Sequence, residues 1–207
     1  MSSVSTPYEV SGRSGQKART RAALVDAARV LIGRGVTPTV AQAAEAAGLS
    51  RAAAYRYFPD QRSLLVAAHP ETGATTMLGP DPSGDPSQRL DDVVQHFTRM
   101  IVDTEPQQRT MLRLSLEGDA DARAALPLRQ GRAIAWISEA LEPLMEEGLT
   151  SAQVRRVALA VRSAIGIEAL VWLIDIGGLT RDEAIESMRW SAQALLSAAR
   201  SGRLPPS

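Results

Sequence analysis

Two short helical segments joined by a glycine turn lie within residues 39–58, TVAQAAEAAGLSRAAAYRYF, and they constrain the fold more than any other part of the chain. Thr39 is a good N-cap, and Gln42 is placed to complete a capping box with it. The intervening alanines favour helix and allow close helix crossing. Gly48 supplies the left-handed backbone that ends a helix. The chain is therefore expected to turn sharply at Gly48, after only a short helix.

The second segment begins with Ser50, which caps a helix predicted from Arg51 to about Tyr57. Pro59 and Asp60 end that helix and begin another. Two short helices separated by a glycine-containing turn of roughly three or four residues are typical of the helix-turn-helix. In that unit the second helix enters the major groove of DNA. The sequence therefore predicts a DNA-binding unit.

An amphipathic helix precedes this unit and is predicted to begin near Thr20. Its apolar residues recur at helical spacing and are Leu24, Ala27, Ala28 and Leu31. The three helices together predict a small core made of Leu24, Leu31, Val40, Leu49, Tyr55 and Phe58. A core of this size is marginally stable alone, so we expect it to pack against the rest of the chain.

Charge is distributed unevenly along the chain. Residues 1–65 contain nine Lys/Arg and four Asp/Glu, an excess of five positive charges. Because the whole chain has 23 of each, residues 66–207 carry 14 basic and 19 acidic side chains, an excess of five negative charges. A basic segment suits contact with phosphates. A solvated surface would also explain this excess, but its coincidence with the helix-turn-helix supports DNA binding.

The motif AGLS at residues 47–50, followed by YRYFPD at 55–60, resembles the N-terminal domain of the TetR family of bacterial transcriptional regulators. The resemblance extends over residues 20–65. It implies a homodimer that represses transcription by binding a near-palindromic operator in double-stranded DNA. It also implies an unknown small-molecule effector, which releases the protein from DNA on entering the rest of the chain.

Two positions depart from the family pattern. After Ser50 the family often has a Gly-Thr pair, where this chain has Ala52-Ala53, so Ala53 lacks a hydroxyl that commonly contacts a phosphate. Gln61 occupies a position that is usually Lys, and Arg62 is a candidate to replace its charge. These departures affect individual phosphate contacts and not the expected fold.

Arginine and tyrosine are the main candidate DNA contacts of the second helix. We expect Arg51 and Arg56 to contact bases or phosphates, because the guanidinium fork matches both. One of Tyr55 and Tyr57 is expected to pack in the core and the other to reach a phosphate. The resemblance favours Tyr57 for the phosphate, and core packing alone would also explain either ring.

A basic segment that contains Lys17, Arg19 and Arg21 is expected to reach the DNA backbone or minor groove. The alternative for this segment is a disordered arm with only non-specific attraction. The full set of predicted DNA-binding residues is Lys17, Arg19, Arg21, Thr39, Ser50, Arg51, Ala53, Tyr55, Arg56, Tyr57 and Gln61.

Prolines and glycines separate this region from the remainder of the chain. Pro70 is expected to end a fourth helix near His69, and residues 80–86 read as a loop, with room for a short helix between residues 71 and 78. Beyond the loop the sequence predicts five helices, at about 86–103, 106–117, 127–148, 151–176 and 181–201. The last two each begin with a capping box, Thr150 with Gln153 and Thr180 with Glu183.

The last two helices are expected to form a homodimer surface, since small residues allow two helical hairpins to pair about a two-fold axis. The predicted faces are Val154, Val157, Ala158, Val161, Ile165 and Ala169 on one helix, and Ala184, Met188, Ser191, Ala192, Leu195 and Ala199 on the other. An ordinary core within one chain is the alternative.

A ligand cavity is expected among the same helices, because an apolar pocket with one or two polar groups is the usual composition of such sites. The predicted ligand-binding residues are Phe97, Met100, Met111, Trp136, Ile165, Glu168 and Trp172. For each apolar member taken alone, plain core packing is the favoured alternative. Glu168 interrupts an apolar run, where a charge needs a partner, and Arg162 or Arg132 could supply it.

Composition argues against several other classes. The absence of cysteine excludes a disulfide framework or a Cys-based metal site, and two distant histidines make a metal cluster improbable. We expect no cofactor, no catalytic site and no membrane partner, because no nucleophile–base pair or Gly-rich phosphate cradle stands out and we identify no apolar run long enough for a membrane. With no signal peptide, a cytoplasmic protein is expected.

The sequence as a whole predicts an all-α protein with three regions. Residues 1–15 form a disordered N-terminal arm, residues 16–65 a three-helix helix-turn-helix DNA-binding domain, and residues 66–207 a helical ligand-binding and dimerisation domain. The predicted function is a sequence-specific transcriptional regulator, with repression favoured over activation. The alternative is a DNA-binding architectural protein with no ligand response, which would show weak sequence preference and strong salt dependence.

Overall fold

The computed structural model describes residues 7–69, 74–117, 120–121 and 131–206, with side chains described from residue 15 onward. The described residues are all-α and contain no β-strand. The helices are α1 (Pro7–Gly33), α2 (Val40–Ala46), α3 (Arg51–Tyr55), α4 (Gln61–Ala68), α5 (Pro86–Asp103), α6 (Glu105–Leu116), α7 (Arg132–Ala140), α8 (Ser151–Ala164), α9 (Ile167–Val171) and α10 (Arg181–Arg200). We call α1–α4 the head and α5–α10 the body. The predicted all-α class, with a helix-turn-helix followed by a helical region, is confirmed.

Short-range signals position the head helices as predicted. The Thr39 hydroxyl accepts a hydrogen bond from the Gln42 N–H at 3.2 Å, and the Gln42 side chain accepts one from the Thr39 N–H at 2.8 Å, which completes the capping box of α2. Gly48, at φ 66, follows the end of α2. Ser50 caps α3 by accepting a hydrogen bond from the Ala53 N–H at 3.2 Å. The predicted turn between two capped helices is confirmed.

Several predicted boundaries in and after the head were wrong. α1 begins at Pro7, so residues 7–15 are helical where a disordered arm was expected, because extending an existing helix needs no new nucleus. α3 ends at Tyr55 and not near Tyr57, because the Tyr57 and Phe58 N–H groups both turn back to the Ala54 carbonyl. Residues 74–78 are not helical, while residues 1–6 and 71–73 lie outside the described part.

The core of the head includes side chains from the body. Phe58 is buried as predicted, whereas Tyr55 is 49% exposed and does not belong to the core. Ala54, the residue before it in α3, is buried in its place. Met111 and Leu114 of α6 pack into the same cluster and complete it. The expectation that the head packs against the rest of the chain is therefore confirmed. The body helix that contributes to the head core is α6.

The body is organised around four helices that pack in a closed ring. α5 lies against α7 and α10, and α8 lies against the same two helices. Thr150 and Thr180 begin α8 and α10 with the predicted capping boxes. α7 gives way to a 3-10 turn, Glu142–Met145, at Pro143. The predicted start of this third body helix, at Pro127, lies outside the described residues.

The helix faces predicted as a dimer surface lie mostly inside this ring. The buried members are Val154, Val157, Ala158, Val161, Ile165, Ala184, Met188, Ala192 and Ala199. Ala169, Ser191 and Leu195 are half-buried. The prediction that these faces are free for a second chain was wrong, because the apolar stripe of each helix is used by the core of its own chain. The outward faces of the two helices carry different residues.

The long helix predicted over 151–176 is broken. α8 ends at Ala164, Ile165 is extended, and Gly166 has φ 120 and ψ −176, a conformation that is essentially restricted to glycine. The Arg162 guanidinium spans the break, donating hydrogen bonds to the Ile165 carbonyl at 2.7 Å and to a Glu168 carboxylate oxygen at 3.1 Å. Arg162 is thus the partner that the charge of Glu168 required.

Gly166→Ala is expected to lower the free energy of unfolding by about 1–3 kcal/mol, because it forces a side chain into a glycine-only conformation. Its Cβ would also lie 2.5 Å from an Nη of Arg162. Urea denaturation followed by circular dichroism would measure the change. Gly84→Ala is the matched control, since Gly84 does not have positive φ and a Cβ there meets nothing within 4 Å. Equal stability of the two variants would contradict this account of the break.

One stretch of the body, Ser151–Ile176, is long and apolar enough to cross a membrane by length and composition, since an 18-residue window within it has a mean hydropathy of 1.9. The expectation that the sequence contains no such run was therefore wrong. The core helix of a soluble protein passes the same test, so one such helix is weak support for a membrane. Here the stretch bends at Gly166 and packs against α7 and α10.

Candidate nucleic-acid interface

The outer surface of α3 is the centre of the candidate interface. Arg51, Tyr55 and Arg56 are exposed, and Ala54 faces inward. Residues 51 and 55 are one turn apart, so their side chains lie on one face of the helix. Arginine forks and a phenolic hydroxyl are donors suited to base edges and phosphate oxygens. α3 therefore presents a short polar and cationic surface with no acidic residue in it.

The two tyrosines differ in exposure, and the difference runs against the predicted division of roles. Tyr55 is 49% exposed, whereas Tyr57 is half-buried and packs against the head core. Their positions follow from the end of α3, since Tyr55 is its last residue and Tyr57 lies in the turn that leads to buried Phe58. The solvent-facing ring is therefore Tyr55, and Tyr57 has only its outer part available for a phosphate.

The polar residues at the helix starts are engaged in holding the motif together. The hydroxyls of Thr39 and Ser50 each cap their own helix. The Gln61 side-chain amide donates to the Thr37 and Pro38 carbonyls at 3.3 and 3.1 Å, so it ties the start of α4 to the loop before α2. Gln61 therefore has a structural contact that the sequence did not indicate.

Three basic residues of α1 are exposed, and one of them, Arg21, lies near this surface. Lys17 and Arg19 are exposed, and Arg21 is also exposed while its guanidinium carbon lies 5.3 Å from the centre of the Phe58 ring. A guanidinium at this distance is attracted to the ring face. Because Phe58 lies three residues after the end of α3, this contact places the charge of Arg21 near that end. Arg21 and α3 thus belong to one basic region.

Among the described residues, the predicted ligand-binding residues line none of the three clefts. Phe97, Trp136 and Ile165 are buried in the body core, where the Phe97 and Trp136 rings pack edge to face at 6.2 Å. Met100 is partly buried at its margin. Three clefts lined by described residues lie elsewhere, at the head–body junction, beside residues 203–205 and near Ser87.

Three members of that set were placed wrongly by the sequence. Met111 belongs to the head core, because α6 faces α1 and α4. Trp172 is 61% exposed at the start of a π-helix, Trp172–Ile176, and so is not part of the core. Glu168 is exposed and paired with Arg162, so it is not a buried anchor. These three residues lie apart from Phe97, Trp136 and Ile165 because of how helices distant in the chain pack together. Helical periodicity does not encode that packing.

The head has the form of a helix-turn-helix DNA-binding domain: two short capped helices, a glycine turn and an exposed cationic second helix on a supporting α1. This defines the chain as a DNA-binding transcription regulator by class. Residues 24–68 match the family model described as bacterial regulatory proteins, tetR family. The match supports membership of the tetR family, whose members are regulators and generally not enzymes. No curated protein matches the chain.

Proposed function

We propose that this protein is a cytoplasmic repressor that binds a near-palindromic operator as a homodimer and is released by a small-molecule effector. The single observation that carries the proposal is the exposed set Arg51, Tyr55 and Arg56 on the second helix of a tetR-type head. Direct base contacts are made most often by arginine in the major groove, so this helix has the side chains that sequence-specific binding needs.

The outward faces of α8 and α10 support the dimer part of the proposal. Trp190 is 72% exposed in the middle of α10, and Leu159 is 43% exposed on α8, which packs beside it. Small residues flank them, including Ala160 and Ala194. We call these four residues the outer hairpin face. An exposed tryptophan among small side chains is suited to pairing with a second copy, and the symmetry of helix-turn-helix binding calls for one.

A small-molecule site inside the body is proposed where the aromatic rings meet. The Arg162 guanidinium lies 5.7 Å from the Phe97 ring centre, and Phe97 packs against Trp136. A planar apolar molecule with an acidic group would match two rings and a half-buried cation. Ile165 and Met100 lie in the same cluster and would form its walls. Entry of a ligand there would require these side chains to separate.

Selection of bound sequences from a random DNA pool tests the proposal, followed by salt titration on the enriched sequence. An enriched near-palindrome bound by a dimer supports a sequence-specific regulator. Absence of enrichment, with binding that collapses as salt rises, would instead indicate the architectural alternative, because phosphate contacts alone give steep salt dependence and no sequence preference. A reporter gene placed behind the selected sequence would then distinguish repression from activation.

Arg51→Ala is expected to weaken binding to the selected operator by at least about 30-fold, because each of the two half-sites loses a bidentate contact worth about 1–3 kcal/mol. Tyr55→Phe is expected to have a larger effect than Tyr57→Phe, because Tyr55 is the exposed ring. Fluorescence anisotropy at fixed salt would measure both. Arg99→Ala, which removes an exposed arginine of α5, is the charge-matched control and should leave affinity unchanged. An equal loss in Arg99→Ala would contradict a specific role for Arg51.

A further inference from the structure

A cleft of about 430 Å³ opens where the head meets the body, apart from the aromatic cluster in the body. This volume lies in the range of small-molecule sites. Its head wall is the end of α1 and the loop that follows, residues 32–37, and its body wall is the start of α6 together with Val102 and Arg181. The cleft is therefore in contact with the end of α1, the start of α6 and the start of α10. A signal between head and body would have to pass through such contacts.

Part of the cleft wall is apolar, and Val36 is its exposed member. Ile32 and Val36 contribute from the head, and Val102 and Pro106 from the body. Val36 retains 39% of its surface exposed although it stands between two packed regions. Apolar surface on both sides of an open cleft favours a ligand with a hydrocarbon part, because such a ligand would remove both walls from water at once.

A chain of ion pairs runs along the body side of the cleft. Glu105, whose side chain is only 8% exposed, accepts hydrogen bonds from Arg109 Nε at 2.7 Å and from Arg181 Nε at 2.8 Å. Arg109 continues to Asp175 through two parallel hydrogen bonds of 2.6 and 2.7 Å. The hydrogen bonds from Arg109 lower the pKa of the Asp175 carboxyl, so the pair stays charged at neutral pH.

The four side chains of this ion-pair series carry no net charge together, but the two ends of the series carry opposite charges. Asp175 does not line the cleft, whereas Arg181 lines it and has a side chain that is 59% exposed. The charge of buried Glu105 is shared between two arginines, so the exposed charge at the mouth of the cleft is positive. The Nε and Nη2 of Arg181 face Glu105, which leaves Nη1 available to a further acceptor.

We propose that this head–body cleft binds a small amphipathic carboxylate, whose acid group pairs with Arg181 and whose apolar part lies against Val36, Val102 and Pro106. The cleft is a second ligand site, separate from the aromatic cluster of the body. Thr37 lies in its wall, and the Thr37 carbonyl is held by Gln61 just before α2 begins. A bound carboxylate would therefore contact the loop that positions the helix-turn-helix. This regulatory consequence rests on the proposed function, whereas binding itself does not.

Isothermal titration of the full chain with octanoate tests the site, with octylamine as a probe that has the same hydrocarbon chain and the opposite charge. We expect saturable binding of one octanoate per chain and at least tenfold weaker binding of octylamine. Arg181→Gln should weaken octanoate binding at least tenfold. Val36→Asp should do the same, because it places a negative charge on an exposed wall without altering the core. Arg155→Gln, at an exposed arginine of α8, is the matched control and should bind as the wild type does.

Equal binding by wild type, Arg181→Gln and Val36→Asp would overturn the proposal, since octanoate would then bind elsewhere. No saturable binding up to about 5 mM would also overturn it. Because the titration contains no DNA, failure to select an operator would count against the proposed function and leave this site standing. Conversely, octanoate that binds as expected but leaves operator affinity unchanged would refute only the regulatory consequence.

Discussion

Met111→Ala is expected to destabilise the DNA-binding head by about 2–5 kcal/mol, although Met111 belongs to a helix of the body. The side chain is fully buried and completes the head core together with Leu114. Its removal leaves a cavity between α6 and the head helices. The stability of a small domain is only a few kcal/mol, so this loss would unfold the head in a large fraction of molecules.

Urea denaturation and operator binding would together measure this effect. We expect the variant to lose operator affinity in proportion to the unfolded fraction of the head, and to recover it at low temperature or with stabilising osmolytes. Met145→Ala is the matched control, because Met145 is 45% exposed and its truncation should change stability by less than about 0.5 kcal/mol. A Met111→Ala protein as stable as Met145→Ala would show that the head does not depend on α6.

Trp190→Glu is expected to convert the proposed dimer into monomers and to weaken operator binding by at least about 30-fold, the effect of losing one interface hot spot. The reason is that a charge at the centre of the outer hairpin face would have to be buried without a partner. The fold should be unaffected, because Trp190 is 72% exposed within the chain. Sedimentation velocity would give the oligomeric state, and anisotropy would give the affinity.

Leu116→Glu serves as the control for this second prediction. Leu116 is 68% exposed at the end of α6, outside the outer hairpin face, so a charge there should leave the dimer intact. A Trp190→Glu protein that sediments as a dimer would rule out this face as the interface. Retention of the dimer together with weaker operator binding would point to an indirect effect on the head.

The sequence predicted best those features that depend on a few neighbouring residues. The capping boxes at Thr39, Thr150 and Thr180 were all correct, because each involves a side chain and a backbone group three residues apart. Pro70 likewise predicted the end of α4, which the structure places at Ala68. The helix-turn-helix depends mainly on such local signals. The DNA-binding class could therefore be predicted without a structure.

The sequence predicted least well those features that depend on which helix packs against which. The apolar pattern of α6 is the same whether Met111 faces the head or the interior of the body. Only the packing of α6 against α1 and α4 decides which core Met111 joins. Helical periodicity likewise identified the buried stripes of α8 and α10 but could not say whether their own chain or a second one covers them. The break at Gly166 was missed because the surrounding residues, IGIEALVWLIDIG, are all compatible with helix.

The uneven distribution of charge has a kinetic consequence. With nearly equal and opposite charges at its two ends and a sequence pI of about 6.8, the protein as a whole experiences almost no net pull toward DNA near neutral pH. It experiences a torque instead, because the field of the phosphates attracts the basic end and repels the acidic one. Molecules approaching DNA are thereby rotated before contact, so that a larger share of encounters begin with the recognition helix facing the groove.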